Sequence, residues 1–372
     1  MKILLTGACG MLGRGIRRCC SGEHELVLFD TSEAVVQLGG IRASVTDTEA
    51  VEDAARGCDA IIHTAAMHGG SYGKASNAQF LQVNVLGAEN IFQAALRHGI
   101  RRLVLSSTLE VLIGWTGGAY GNAVLEESLA PRPDWIYPVS KVMVEQLSAF
   151  YAVHHGLEVV NLRYCGLHEK PLEELGFGLL ARQLPATDAA RANLLAATRP
   201  GLRNEVFNIA PDTPLTQQDS NEAALLAVMR PQLHGAELAA EQAKNLWTIL
   251  ERHWPGCGAV LRAHGLEPQP EFFWRVTRID KAKLTLGWQP VSDLRKVLKE
   301  SGLARGSAAK YIAPRRRPGP RVASSTVPHP VTDALPVVEG AVAVPQGLGL
   351  GMELDRAALD RYTKRRFTVK LG

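Results

Sequence analysis

The sequence predicts a doubly wound α/β fold built on a parallel sheet, and three observations carry that expectation. Short apolar runs alternate with amphipathic stretches of helical spacing along the first half of the chain. Glycines cut off the first run at once, at Gly7, Gly10 and Gly13. Residues able to do chemistry then stand where later runs end, at Asp30, Ala65 and Ser106 to Thr108. In a parallel sheet those positions share one edge, where ligands bind.

Ile3 to Leu5 reads as a buried strand because the glycines follow it directly. Met11, Leu12 and Ile16 then begin a helix. Strand, glycine turn and helix start in this order form a pyrophosphate cradle. Glycine lets the backbone approach phosphates, and the helix N-terminus offers unpaired N–H groups and a positive dipole end. The spacing G-x-x-G-x-x-G is a variant of the Rossmann dinucleotide fingerprint. The next run, Leu26 to Phe29, ends in Asp30. An acid there accepts hydrogen bonds from ribose hydroxyls and repels a 2′-phosphate, which favours NAD over NADP. The alternative is an ordinary strand-end turn residue.

Ala43 to Asp47 leads into a short helix from Thr48 to Arg56. Cys58 to Ala66 is a third strand running into small residues, which permit close approach to a ligand. Asn77 to His98 predicts one long helix, with Leu81, Val85, Ala88, Phe92 and Leu96 at helical spacing. Asn84 falls on that stripe, either as a satisfied core amide or as a support for the site. Gly99 suits the position just past the helix end, and Arg101 to Ser107 is the fourth strand. Tyr137 to Lys141 opens a helix running to His155, with Pro138 in its first turn. Tyr137 and Lys141 are four apart and face the same way. An ammonium there, with an oxidised nicotinamide, lowers a phenol's pKa from about 10 and makes it a usable base. A surface Tyr and Lys produce the same spacing by accident.

At 372 residues the chain has room for two domains, or for one with appendages. Its 46% apolar and 21% charged residues are ordinary for a globular protein. A net charge of +4, drawn partly from basic clusters near the end, argues against a nucleic-acid partner. The six cysteines show no CxxC or Cys/His spacing, so no metal is expected. No apolar run approaches about 18 residues and no signal peptide precedes the first strand, so the expectation is a cytoplasmic protein without a membrane partner.

Taken in order, Gly7-x-x-Gly10-x-x-Gly13, Asp30, His63-Thr-Ala-Ala66, Asn84-Val-Leu-Gly87, Ser106-Ser-Thr108 and Tyr137-x-x-x-Lys141 resemble the extended short-chain dehydrogenase/reductases, NAD-dependent epimerase/dehydratase branch. The likeness runs to about residue 300 and includes Glu205 to Pro211 and Leu286 to Pro290. It implies catalysis by Thr108, Tyr137 and Lys141: the phenol as general base, the ammonium as its partner and ribose ligand, and the threonine hydroxyl on the substrate oxygen. It implies NAD contacts from Gly7, Cys9, Gly10, Met11, Leu12, Asp30, Ser44, Val45, Thr64, Ala65, Ala66, Asn84, Ser106, Tyr137, Lys141 and Tyr164. Substrate contacts fall to Ser107, Thr108 and Gly166, with Ser107 the near alternative for the catalytic hydroxyl. The family also implies a homodimer through the helices at 77–98 and 137–155.

Three positions depart from the family pattern. Ser44 replaces the usual Asp before Val45 at the adenine side. Val111-Leu-Ile113 stands where Val-Tyr-Gly is usual, and Gly166 where nucleotide-sugar epimerases carry Asn. Between that strand and Thr187-Asp188 only Leu167 to Ala186 intervene, too few to enclose a nucleotide diphosphate and close to the compact form of uronate dehydrogenases. Asp188 reads as a helix N-cap rather than an acid catalyst. Residues 217–270 read as a small helical lobe. His68, His154 and His155 stay unassigned.

The expected organisation is an NAD-binding Rossmann core with the catalytic helix at 1–166, then remaining core elements and a small, mostly helical substrate lobe at 167–302. A flexible Pro/Arg linker follows at 303–331. Residues 332–372 resemble the C-terminal end of enolase-superfamily, mandelate-racemase-like sugar-acid dehydratases, without that family's metal carboxylates or bases. The expected function is an NAD-dependent oxidoreductase or epimerase acting on a small sugar or sugar acid. The alternatives are a nucleotide-sugar 4-epimerase or dehydratase, and a catalytically silent NAD-binding redox sensor.

Overall fold

The computed structural model describes residues 1–20, 22–71, 73–115, 123–169, 183–219, 235–255, 258, 262 and 276–292, with two short strands at 337–338 and 341–342. Seven parallel strands form the central sheet in the order β3-β2-β1-β4-β5-β6-β9. They are β1 (Lys2–Thr6), β2 (Glu25–Asp30), β3 (Ile41–Arg42), β4 (Ala60–His63), β5 (Arg102–Thr108), β6 (Glu158–Tyr164) and β9 (Glu205–Ile209). The order reverses direction at β1 and β4, which opens a crevice at their carboxyl ends.

Alternation along each strand feeds two cores. Ile3, Leu5, Ile62, Val104 and Leu162 face α1 (Met11–Cys20) and the alanine-rich α7 (Ala186–Thr198). Leu4, Ile61, Leu103 and Leu105 face the other way. There they meet α3 (Thr48–Ala55), α5 (Gly87–Arg97) and α6 (Ile136–His155). α2 (Ala34–Gln37) is a single turn. Close packing of α1 on α7 needs small residues: a Cβ at Gly15 would stand 3.1 Å from the Ala186 carbonyl oxygen.

The expected single helix over Asn77–His98 is broken. α4 (Asn77–Leu81) passes into a π-helical turn (Gln82–Leu86) before α5 begins. Asn84 lies at the centre of that turn, buried, and its amide is drawn to groups outside the helix. The wider turn is the local cost of reaching them.

β7 (Gly166–His168) pairs in parallel with β8 (Gln183–Pro185) in a two-stranded sheet beside α7. Asp188 is not the N-cap of α7, because the helix starts at Ala186 behind Pro185. Its buried carboxylate accepts from the backbone N–H groups of Val291 and Ser292 and from Arg191, pinning a loop a hundred residues away. Of the helical stretch expected at 217–270, α8 (Gly235–His253) is described. The remaining turns there lie partly outside the described residues.

Contacts divide the chain at Ile312/Ala313 into two compact units. The second contains an antiparallel pair, β10 (Val337–Val338) with β11 (Ala341–Val342). The rest of residues 332–372, where a likeness to an enolase-superfamily terminus was expected, and the Pro/Arg stretch before them lie outside the described residues. Among the described residues no helix is long and apolar enough to cross a membrane.

Candidate active site

The loop from Gly7 to Gly10 leaves β1 and turns into α1, and its shape excludes side chains at two points. Gly7 adopts φ +72°, and a Cβ there would lie 2.7 Å from both Ala65 N and Thr64 Oγ1. A Cβ at Gly13 would collide with the Gly7 carbonyl at 2.2 Å. The loop is braced by Asp30 at the end of β2, which accepts from Cys9 N–H and Ser32 N–H, each at 2.8 Å. Met11 and Leu12 begin α1, Met11 exposed and Leu12 buried. From the neighbouring strand end, Thr64 Oγ1 donates to the Thr6 carbonyl at 2.7 Å and Ala65 N–H donates to Thr6 Oγ1 at 3.4 Å. Thr64, Ala65 and Ala66 thus line the crevice beside the glycine loop.

Val45 and Ser44 sit further out. Val45 is buried in the core against Gly87, and its carbonyl accepts from Asn90. Ser44 closes a local turn with Thr46.

Successive residues on a strand point to opposite faces, and this separates the two candidate hydroxyls of β5. Ser107 turns inward: its Oγ donates to Glu145 Oε1 at 2.6 Å, and Glu145 is held by both arms of Arg163 at 2.7 and 2.9 Å. That hydroxyl is committed to a buried ion pair. Thr108 faces the crevice beside Tyr137, and its hydroxyl favours ionisation of the phenol. Ser106 lies on the same side as Thr108, two residues earlier.

Tyr137 stands in the first turn of α6, with Trp135 as N-cap. Burial and the nearby Glu110 carboxylate push the phenol above its ordinary value, and the Thr108 hydroxyl only partly offsets them. The protein's own groups alone therefore do not poise the phenol as a base; the expected lowering counts on an oxidised nicotinamide beside Lys141 as well. Lys141, one turn on, is 3% exposed. Burial lowers its pKa to about 8, with Glu145 opposing the shift. Among the described residues its ammonium makes no direct hydrogen bond. Beneath it lies His63, whose Nδ1 is 2.8 Å from Thr6 Oγ1. Burial, and secondarily Lys141, lower its pKa to about 3, so the ring is neutral near pH 7.

Asn84 is fully employed by the protein. Its Oδ1 accepts from Met67 N–H at 2.8 Å, and its Nδ2 donates to the Met67 carbonyl and to Ser140 Oγ, each at 2.9 Å. Ser140 Oγ donates in turn to the Tyr137 carbonyl at 2.7 Å. With both N–H groups spent, Asn84 is a bracket between the β4 loop and α6. Tyr164 is similarly turned into the core, its hydroxyl accepting from Asn193 at 2.7 Å. Gly166 opens β7 and is exposed.

These residues suit NAD. The glycine cradle with no room for Cβ atoms meets the start of α1, Asp30 closes β2 where a ribose would lie, and the ammonium of the buried Lys141 takes no direct hydrogen bond among the described residues. Two residues at this site, Glu110 and Trp135, carry no family motif, and only the folded chain brings them to Tyr137.

Residues 3–168 match the model of the NAD dependent epimerase/dehydratase family. L-arabinose 1-dehydrogenase (NAD(P)(+)) of Haloferax volcanii is 34% identical over 173 residues, 44% of this chain and 65% of that protein, so the chain spans just under two thirds of it. Uronate dehydrogenase of Pseudomonas putida is 27% identical over 60% of this chain and 82% of its own. 2-Alkyl-3-oxoalkanoate reductase of Stenotrophomonas maltophilia is 30% identical over 73% of this chain and 88% of its own. A solved short-chain dehydrogenase/reductase superfamily protein from Agrobacterium tumefaciens with bound NAD superposes with a TM-score of 0.59, covering 81% of this chain and 95% of that one at 20% identity, a likeness of fold. The chain belongs to the NAD-dependent epimerase/dehydratase family.

Proposed function

We propose that the chain is an NAD-dependent dehydrogenase of a small free sugar or sugar acid. The observation that carries this reading is the meeting of the Thr108 hydroxyl with the Tyr137 phenol, one helical turn from the buried Lys141. NAD, when bound, accepts a hydride from the carbon of the substrate alcohol. Thr108 holds the alcohol oxygen, and Tyr137 takes its proton as the carbonyl forms. Lys141 supplies positive charge that favours the phenolate, in a dry setting where such charge acts strongly. The glycine loop, Asp30 and Lys141 hold the cofactor, and Asn84 with Ser140 fixes the start of α6 against the β4 loop.

A small substrate is supported by the short span between β7 and β8, residues 169–182. The names of the Haloferax and Pseudomonas relatives agree with it. A second reading, reduction of a keto acid, is favoured by one observation: the Stenotrophomonas reductase is matched over 88% of its length. A homodimer fits the apolar residues that α6 leaves exposed, Met143, Phe150 and Val153.

The test is a panel of free aldoses, uronates, nucleotide-sugars and 3-hydroxy acids with NAD, read by NADH absorbance and product stereochemistry. Turnover of a free sugar or uronate is expected. Turnover confined to nucleotide-sugars or to 3-hydroxy acids overturns the substrate class, and epimerised product without net NADH overturns the dehydrogenase assignment.

A further inference from the structure

Glu110 lies two residues past Thr108, in a 3₁₀ turn (Leu109–Trp115). Its backbone N–H donates to Thr108 Oγ1 at 3.2 Å, and its Oε2 accepts from Trp135 Nε1 at 3.0 Å. Trp135 is gripped on its other sides by rings. Tyr137 is tilted against it with centroids 5.4 Å apart, and the buried Phe80 of α4 meets it edge-on at 6.1 Å. Glu110 thus reaches both partners of the reacting oxygen, Thr108 through its own backbone N–H and Tyr137 through the indole that its carboxylate holds.

We propose that Glu110 is a positioning residue for the general base, holding the Tyr137 ring through Trp135 and placing a negative charge near the phenol. This rests on the reading of Tyr137 as the base. Orientation alone does not require a carboxylate, because a glutamine oxygen accepts an indole N–H equally well. The charge needs its own account, and its neighbours supply one. The groups around the phenol are Thr108 from β5, Glu110 from the 3₁₀ turn, Tyr164 from β6 and Lys141 on α6 itself. Behind Lys141 stand His63 of β4, neutral near pH 7, and Glu145, already paired with Arg163. Burial does most to keep the proton on the phenol, and among the described residues the Glu110 carboxylate adds to it. A cationic nicotinamide, when bound, would oppose both, so Glu110 strengthens the dependence of the phenolate on the oxidised cofactor.

Three variants separate the two contributions. Glu110→Gln keeps the acceptor and removes the charge, Glu110→Ala removes both, and Trp135→Phe keeps a ring but removes the donor. The phenolate absorbance of Tyr137, taken as wild type minus Tyr137→Phe, is titrated with and without NAD, and turnover is followed against pH on the substrate the panel identifies. Glu110→Gln should move the Tyr137 step and the rising limb of turnover down by about half a pH unit or more, most clearly without NAD. Glu110→Ala and Trp135→Phe should lower kcat by about tenfold with KM little changed, and Glu110→Gln should recover most of that loss. A Glu110→Gln step that stays put or moves up overturns the electrostatic part. Full kcat in Glu110→Ala and Trp135→Phe overturns the positioning part. Should Glu110→Ala fail to fold, the near-isosteric Gln variant and Trp135→Phe still decide both. If Tyr137→Phe itself retains turnover, the base assignment fails; if it is inactive while the Glu110 variants match wild type, only the role of Glu110 fails.

Discussion

Thr108 and Tyr137 meet across the carboxyl end of β5, hydroxyl to phenol, while the adjacent Ser107 is turned away into the Glu145–Arg163 pair. The two β5 hydroxyls therefore differ in kind. Thr108→Ala should lower kcat by about a hundredfold while NAD affinity holds, because it removes a contact to the reacting oxygen. Ser107→Ala should instead lower stability by about 1–3 kcal/mol, since Glu145 loses a buried donor. Steady-state kinetics with denaturant melts on both variants decide the matter. A Ser107→Ala enzyme that folds normally yet is inactive would reverse the assignment.

Lys141 pits stability against function. Its pKa falls from 10.5 unfolded to about 8 folded, so between those values the unfolded chain binds more protons and stability rises with pH. Below about 8 the penalty of burying the ammonium is fully present, up to about 3 kcal/mol. Lys141→Met should therefore raise the Tm at pH 7 by several degrees, an advantage that fades towards pH 10. NAD binding and turnover should both suffer. Equal melting temperatures at pH 7 and a preserved NAD affinity would count against Lys141 as a buried, cofactor-facing cation.

Most strand ends of the crevice were legible because their signals are local. An apolar run followed by glycines at Gly7 and Gly10, an acid closing a strand at Asp30, and a Tyr and Lys four apart are each read within a dozen residues. What escaped is non-local. The π-turn at Asn84 exists because Met67 and Ser140 sit where they do, and no helical periodicity encodes that. Which face of β5 meets the crevice depended on register against β6, so Ser107 and Thr108 could not be separated beforehand. Asp188 looked like a cap because its partners, Val291 and Ser292, are supplied by a distant loop. Glu110 and Trp135 are brought together only by folding, 25 residues apart.

His63 should set an acid limit on stability. Its pKa drops from 6.5 unfolded to about 3 folded, so the unfolded chain binds more protons between those values. Stability is complete above about 6.5 and declines as the pH falls, by up to about 5 kcal/mol at the extreme. In His63→Asn, which can still offer a partner to Thr6, urea midpoints between pH 7 and 4.5 should fall less steeply than in wild type. Parallel slopes would mean that other groups dominate acid unfolding.

Asp30 performs two tasks that substitution can separate. Its carboxylate braces the glycine loop through Cys9 N–H and the following turn through Ser32 N–H. Its charge faces the place where a 2′-phosphate would lie. Asp30→Asn keeps one oxygen acceptor and removes the charge, so the preference for NAD over NADP should shrink while the loop loses little. Asp30→Ala leaves both N–H groups without this acceptor. It should relax the same preference, weaken both cofactors together and cost about 1–2 kcal/mol in stability. Fluorescence titrations of wild type and both variants with each cofactor, alongside thermal melts, measure these effects. Wild-type protein that binds NAD and NADP equally would show that Asp30 only braces the loop. In that case Asp30→Asn should leave the cofactor ratio unchanged, and discrimination would have to come from elsewhere in the crevice.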